Sequence, residues 1–213
     1  MAEEETKNDY RIEGIFPIPV YLTQRDSNLD LTEEKEIEDV IEEGMRKNKF
    51  NSISKNSYIF DTKLFHLKEF IEKHIKTFVK QIMNPKREVD FYITQSWLTI
   101  TKPGEHHHIH SHPNSIISGA FYVSTVENDA VQFHDGYVDI KERIKIEPLE
   151  YNSWNSNFTA FHVANNVLIL FPSWMQHGSY PNKNATTERI CLSFNVFAKG
   201  NLGKIEHMHE LIL

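Results

Sequence analysis

Near Glu88 the hydrophobic period of this chain changes from helical to two, and that change limits its fold more than any other feature. Upstream, DLTEEKEIEDVIEEGMRKNKF (Asp30–Phe50) reads as a helix with Ile37, Val40, Ile41, Gly44 and Met45 on one face. Asp30 or Thr32 can cap it, acids crowd its first turn, and Lys and Arg stand in its last. A second helix is expected from about Thr62 to Met83, where Leu64, Leu67, Phe70, Ile71, Ile75, Phe78, Val79 and Ile82 recur at three- and four-residue spacing. His66 and His74 lie beside that stripe and read as ordinary helix residues.

Downstream the segments are short, rich in Val, Ile, Thr and aromatics, and separated by Gly, Pro, Asn and Asp: VDFYITQSWLTIT, SGAFYVSTV, AVQFH, RIKIE, FHVANNVLILFP and ERICLSFNVFAK. This pattern predicts an antiparallel sandwich or barrel. Helices first and strands afterward predict an α+β, mostly β chain with the helices packed on the outside of one sheet. IFPIPVYL reads as an edge strand, because proline cannot donate to a ladder. KIEHMHELIL at the C-terminus reads as a short helix or extension, and its His207 and His209 lack a third partner nearby.

The bulk numbers exclude several function classes. With 213 residues the chain suits one domain with a real core. No apolar run reaches transmembrane length, and the acidic start MAEEETKNDYRIEG lacks the features of a secretory signal, so a cytoplasmic location and no membrane partner are expected. A net charge of −7 argues against a nucleic-acid surface. Cys191, the single cysteine, reads as a buried small hydrophobe. A Ser/His or Cys/His hydrolase is disfavoured, since there is no GxSxG elbow and Cys191 lies within a strand.

Five of the twelve histidines fall within GEHHHIHSHPNS, Gly104–Ser115. In an extended strand, residues two apart share a side, so His108, His110 and His112 can point into one cavity, with His106 in their row and His107, Ile109 and Ser111 facing away. Two imidazoles at that spacing suit Fe, Zn, Cu or Ni, and a facial site needs one further donor. His177, in VLILFPSWMQHGSYPN, is the obvious candidate. Arg189, twelve residues on, is either a strand-end surface charge or a fixed guanidinium that grips a carboxylate. His134 and His162 read as structural.

The order HxH, a long β region, LFPSWxxHG and then RxxxSFN resembles the double-stranded β-helix core of the Fe(II)/2-oxoglutarate-dependent oxygenases. More narrowly, SWLTITKPGEHHHIHSHPNSIISGAFYV and LILFPSWMQHG are similar to the 2-oxoglutarate/Fe(II) oxygenase family of bacteria and cyanobacterial tailed phages, with its HxHP and SGxYY signature. Residues 1–14 read as a disordered tail, and the resemblance implies 15–213 as a single oxygenase domain, with helical support over about 30–84 and a jelly-roll core over about 88–199. It implies His110, His112 and His177 as metal ligands, with His108 as the alternative should the register slip by two. It further implies Arg189 and Tyr122 on the far carboxylate of 2-oxoglutarate, assisted by Ser193, with Trp97, Phe133, Trp174 and Asn195 as candidates for the cavity wall. The implied cofactors are Fe(II), 2-oxoglutarate and O2, and the implied reaction is hydroxylation with release of succinate and CO2. The implied setting is cytoplasmic, the host's if the chain is phage-encoded.

In one respect the chain departs from the wider class: the usual Asp or Glu ligand is His112, which leaves three neutral imidazoles. Two other readings therefore stand beside the oxygenase, a cupin-like three-histidine metalloenzyme that uses no 2-oxoglutarate and a non-catalytic metal-binding β-sandwich. Arg189 favours the oxygenase, which alone of the three needs a buried carboxylate clamp. The substrate, small molecule or peptide, is not legible, and an exposed edge at IFPIPVYL would suit a homodimer.

Overall fold

The computed structural model of the chain describes residues 11–136 and 146–213. Most of the expected tail and the first three residues of RIKIE lie outside the described residues.

The first helix, α1 (Leu31–Glu43), opens on a capping box. The Asp30 carboxylate accepts the N–H groups of Thr32 and Glu33 at 2.9 and 2.8 Å, while Glu33 reaches back to the Asp30 N–H at 3.0 Å. The same Glu33 is buried against Arg25 at 2.8 Å, so the cap also ties the preceding strand β1 (Tyr21–Gln24) to the helix. The helix stops earlier than expected. Gly44 adopts a φ of 121°, a conformation that L side chains rarely adopt, and Met45–Lys47 become strand β2, paired with β3 (Ser52–Ser54). The Lys and Arg assigned to a last helical turn therefore stand in β2 and the loop after it.

Helix α2 (Phe65–Phe78) buries Leu67, Ile71, Ile75 and Phe78, the stripe read from the sequence. Its start is displaced from Thr62 because Ile59–Asp61 form a 3-10 turn and Leu64 caps the helix at φ 59°. After Phe78 the backbone widens into a π turn over Val79–Met83, which leaves Ile82 exposed. His74 accepts or donates a 2.7 Å hydrogen bond with the Tyr21 hydroxyl, pinning β1 to α2.

The remaining strands are β4 (Val89–Thr101), β5 (Ile117–Ser124), β6 (Ala130–His134), β7 (Phe158–His162), β8 (Val167–Pro172), β9 (Gln176–Gly178), β10 (Arg189–Leu202) and the short β11 (Leu211–Ile212). Among the described residues they form two sheets. The larger has the order β1-β8-β5-β10-β4-β3-β2, with β11 on β10, and the smaller is β7-β6-β9. All of these strand pairs are antiparallel, and together the two sheets are a double-stranded β-helix. Pairing of β1 with β8 begins only at Tyr21, so the prolines of IFPIPVYL precede the strand. FHVANNVLILFP is divided by a turn at Asn166, φ 67°. None of the described helices is long and apolar enough to cross a membrane.

Strand alternation sorts the larger sheet into two faces. On β10, Ile190, Leu192, Phe194 and Val196 join α1 and α2 in the main core, while Arg189, Cys191, Ser193 and Asn195 turn toward the smaller sheet. On β5, Ile117 and Phe121 face the helices, and Ala120 and Tyr122 face a second core with Val131, Phe133, Ile169 and Phe171. Gly119 sits where β5 crosses Phe194: a Cβ there would overlap the Phe194 ring and stand 2.8 Å from Leu170 Cδ2. Gly119→Ala is expected to destabilise the fold by about 1–3 kcal/mol, read as a lower denaturant midpoint at an unchanged slope.

Candidate metal centre

The histidine-rich segment is not a strand. Residues 102–115 form a loop between β4 and β5, fixed by backbone hydrogen bonds to the LFPSWMQHG segment. His110 and His177 exchange N–H···O=C bonds at 3.0 and 2.9 Å, and the His112 N–H bonds the Ser173 carbonyl at 2.9 Å. Gly178 permits this approach, since a Cβ there would lie 2.7 Å from the His107 carbonyl oxygen. Because the segment lacks strand geometry, the expected two-residue alternation fails. His107 lies on the cavity wall, stacked on His110 with ring centroids 4.6 Å apart and planes 8° apart. His106 instead stacks on Phe50 at 4.3 Å.

His110, His112 and His177 bring one ring nitrogen each within 4.8 Å of one another. Their tautomers follow from the groups behind them. His110 Nδ1 lies 2.8 Å from the His108 carbonyl and His177 Nδ1 2.9 Å from the Met175 carbonyl; a carbonyl only accepts, so both Nδ1 atoms carry the proton. His112 Nδ1 lies 2.6 Å from Asn195 Oδ1, which also accepts from Ser118 Oγ at 2.9 Å. Each Nε2 is left as a bare lone pair, and those of His110 and His112 are 2.9 Å apart. Two acceptors at that distance repel unless a cation lies between them, so the donor set fits a divalent metal. His108 belongs to a different cluster, with His107 and His110, and its Nδ1 is buried without a partner.

The same small cavity, about 50 Å³, is lined by Trp97, Thr99, Thr101, Tyr122, Arg189, Cys191 and Ser193. Arg189 is buried, with its guanidinium carbon 5.0 Å from the centre of the Tyr122 ring and its Nε 3.2 Å from Asp129 Oδ2. Burial raises the Tyr122 hydroxyl well above the ordinary tyrosine range and pushes the Cys191 thiol up to about 11. Phe133 and Trp174, expected on this wall, instead line a second cavity of about 550 Å³ beside Tyr151, Phe158 and Phe161. Asn195 is not among the lining residues either; its amide holds His112. The roles of His107 and Asp129 were missed. His107 was misassigned by applying strand periodicity to a loop, and nothing near Asp129 in the sequence signals that it meets Arg189.

The fold is that of known oxygenases. A Pseudomonas putida prolyl-4-hydroxylase is similar at 13% identity and TM-score 0.55, over 84% of this chain and 92% of that one. HygX from Streptomyces hygroscopicus, solved with nickel, 2-oxoglutarate and hygromycin B bound, is similar at 9% identity and TM-score 0.55, over 84% and 82%. The carbocyclase SnoK from nogalamycin biosynthesis is similar at 12% identity and TM-score 0.59, over 86% and 81%. No curated protein sequence matches the chain. Residues 95–195, which hold the three histidines and Arg189, match the family described as "Putative 2OG-Fe(II) oxygenase". That match spans just under half of the chain and makes these residues similar to the family's.

Desolvation is the largest cause holding His107 at about 2, His177 at about 3 and His110 at about 4, against an ordinary 6.5. The folded protein thus binds fewer protons than the unfolded chain below pH 6.5. Stability is present above that pH and is lost as pH falls toward 4, by about 1.4 kcal/mol per pH unit for each such histidine. Urea unfolding of metal-free protein at pH 7.5 and 5.5 is expected to show this loss, and His107→Gln is expected to flatten the slope.

Proposed function

We propose that the chain is a 2-oxoglutarate-dependent hydroxylase in which His110, His112 and His177 hold Fe(II) through their Nε2 atoms. The observation that carries this reading is one cavity lined both by three imidazoles with their Nδ1 protons committed elsewhere and by a buried guanidinium. When bound, the iron and 2-oxoglutarate supply oxidative chemistry: a substrate C–H bond, O2 and 2-oxoglutarate give the hydroxylated product, succinate and CO2.

The protein's own groups bind and orient. Arg189, fixed over Tyr122 and within a buried wall, offers charge-assisted donors to the far carboxylate of 2-oxoglutarate, while Tyr122 and Ser193 flank it. The Met175, His108 and Asn195 acceptors aim the three imidazoles. Trp97 and Phe171 close the cavity and exclude water from it. The third histidine is the feature that favours a cupin-like metalloenzyme without 2-oxoglutarate, whereas the buried guanidinium in the same cavity favours the hydroxylase.

Metal-free protein reconstituted anaerobically with Fe(II) is expected to show the visible metal-to-ligand band on addition of 2-oxoglutarate, and succinate after admission of oxygen. His177→Ala is expected to lose both. Arg189→Ala is expected to retain iron and to weaken 2-oxoglutarate binding about 30-fold or more, the cost of removing one partner of a buried charge pair. Iron binding without either signal in the wild type would transfer the site to the cupin-like reading.

A further inference from the structure

The third histidine raises a question of charge. A centre of two imidazoles and one carboxylate carries one negative charge among its ligands; this chain's three imidazoles carry none. The missing charge stands beside the cavity, behind Arg189. Asp129, in the turn before β6, has its side chain 5% exposed and stands 3.2 Å from Arg189, whose side chain is 11% exposed. Asp129 Oδ2 and Arg189 Nε are both buried, and neither makes an aligned hydrogen bond. The pair is therefore held by charge rather than by a fitted hydrogen bond, and the guanidinium is not locked onto the aspartate.

Arg189 lines the cavity with the three histidines. With a divalent ion in place, the ion's two positive charges, one from Arg189 and one negative charge from Asp129 leave the pocket with a net charge of plus two. A 2-oxo dicarboxylate carries two negative charges, so the pocket and its cosubstrate balance. Without Asp129 the pocket would carry three positive charges, and a buried imbalance of that kind is costly.

We propose that Asp129 is the counter-charge of this centre: it supplies, at the Arg189 end of the cavity, the negative charge that a ligand carboxylate supplies in a two-histidine site, and so matches the pocket to a dianionic 2-oxo acid. It acts through Arg189 and the field of the cavity, which makes it a positioning residue. The inference rests on the 2-oxoglutarate reading above.

The test is the equilibrium affinity of Ni(II)-loaded protein for 2-oxoglutarate, measured by calorimetry without turnover, with metal content and thermal midpoint read on every sample. Four proteins are compared: wild type, Asp129→Asn, His112→Asp and the double variant. Moving one unit charge within the cavity corresponds to about a tenfold change at the effective dielectric of a protein site. Asp129→Asn is expected to tighten 2-oxoglutarate binding about tenfold and His112→Asp to weaken it about tenfold, while the double variant, in which the carboxylate is moved rather than lost, returns to within about threefold of wild type. Should Asp129→Asn not fold, Asp129→Ser, which also removes the charge, takes its place in both the single and the double variant. A double variant that binds no better than His112→Asp, or an Asp129→Asn that binds more weakly, overturns the counter-charge and makes Asp129 a scaffold for Arg189. A metal-loaded wild type that does not bind 2-oxoglutarate overturns the hydroxylase reading as well, so the two failures are distinguishable.

Discussion

Two backbone hydrogen bonds between His110 and His177 hold the site together. They join an irregular loop to the short strand β9 and bring histidines 67 positions apart in the sequence into one cluster. Everything downstream depends on this pairing: the bare Nε2 atoms converge because the two main chains do, and the main chains approach because Gly178 has no Cβ to meet the His107 carbonyl. Each imidazole is then aimed by an acceptor from its own or a neighbouring segment, so the cluster is organised by the polypeptide before any ion arrives.

The pocket around this cluster shows how a buried site tolerates charge. Desolvation keeps the histidines neutral, and it would penalise Arg189 equally were there no opposite charge at hand. Burial also raises Asp129, while the guanidinium beside it pulls the other way, so each member of the pair is stable in its ionised form because of the other. A guanidinium kept in such a place, together with its own counter-ion, is difficult to explain by packing alone.

Much of the fold was legible in the sequence because it is written in periodicity. The stripe Leu67, Ile71, Ile75 and Phe78 specified α2, and alternation specified β4, β5 and β10. Boundaries were less legible, since Gly44 and Leu64 end or start helices through backbone conformation rather than through pattern. At the site, His110, His112, His177 and Arg189 were singled out by spacing together with a family resemblance, and they do meet at one cavity. His107 was misplaced because alternation holds only where a strand exists. The roles of Asp129 and Asn195 were invisible, since they depend on contacts with residues 60 and 83 positions away.

The division of β10 into two faces has a consequence for how such a protein can change. Ile190, Leu192, Phe194 and Val196 serve cohesion, and the residues between them face the side of the histidine cavity. Point substitutions on either face can therefore accumulate with little effect on the other, so stability and reactivity can drift separately along the same strand. A single inserted or deleted residue has no such freedom: it would exchange the two faces at once, placing arginine against the helices and phenylalanine against the histidines. Variation in length is thus confined to the loops, and within the strand only residue identity is free to change.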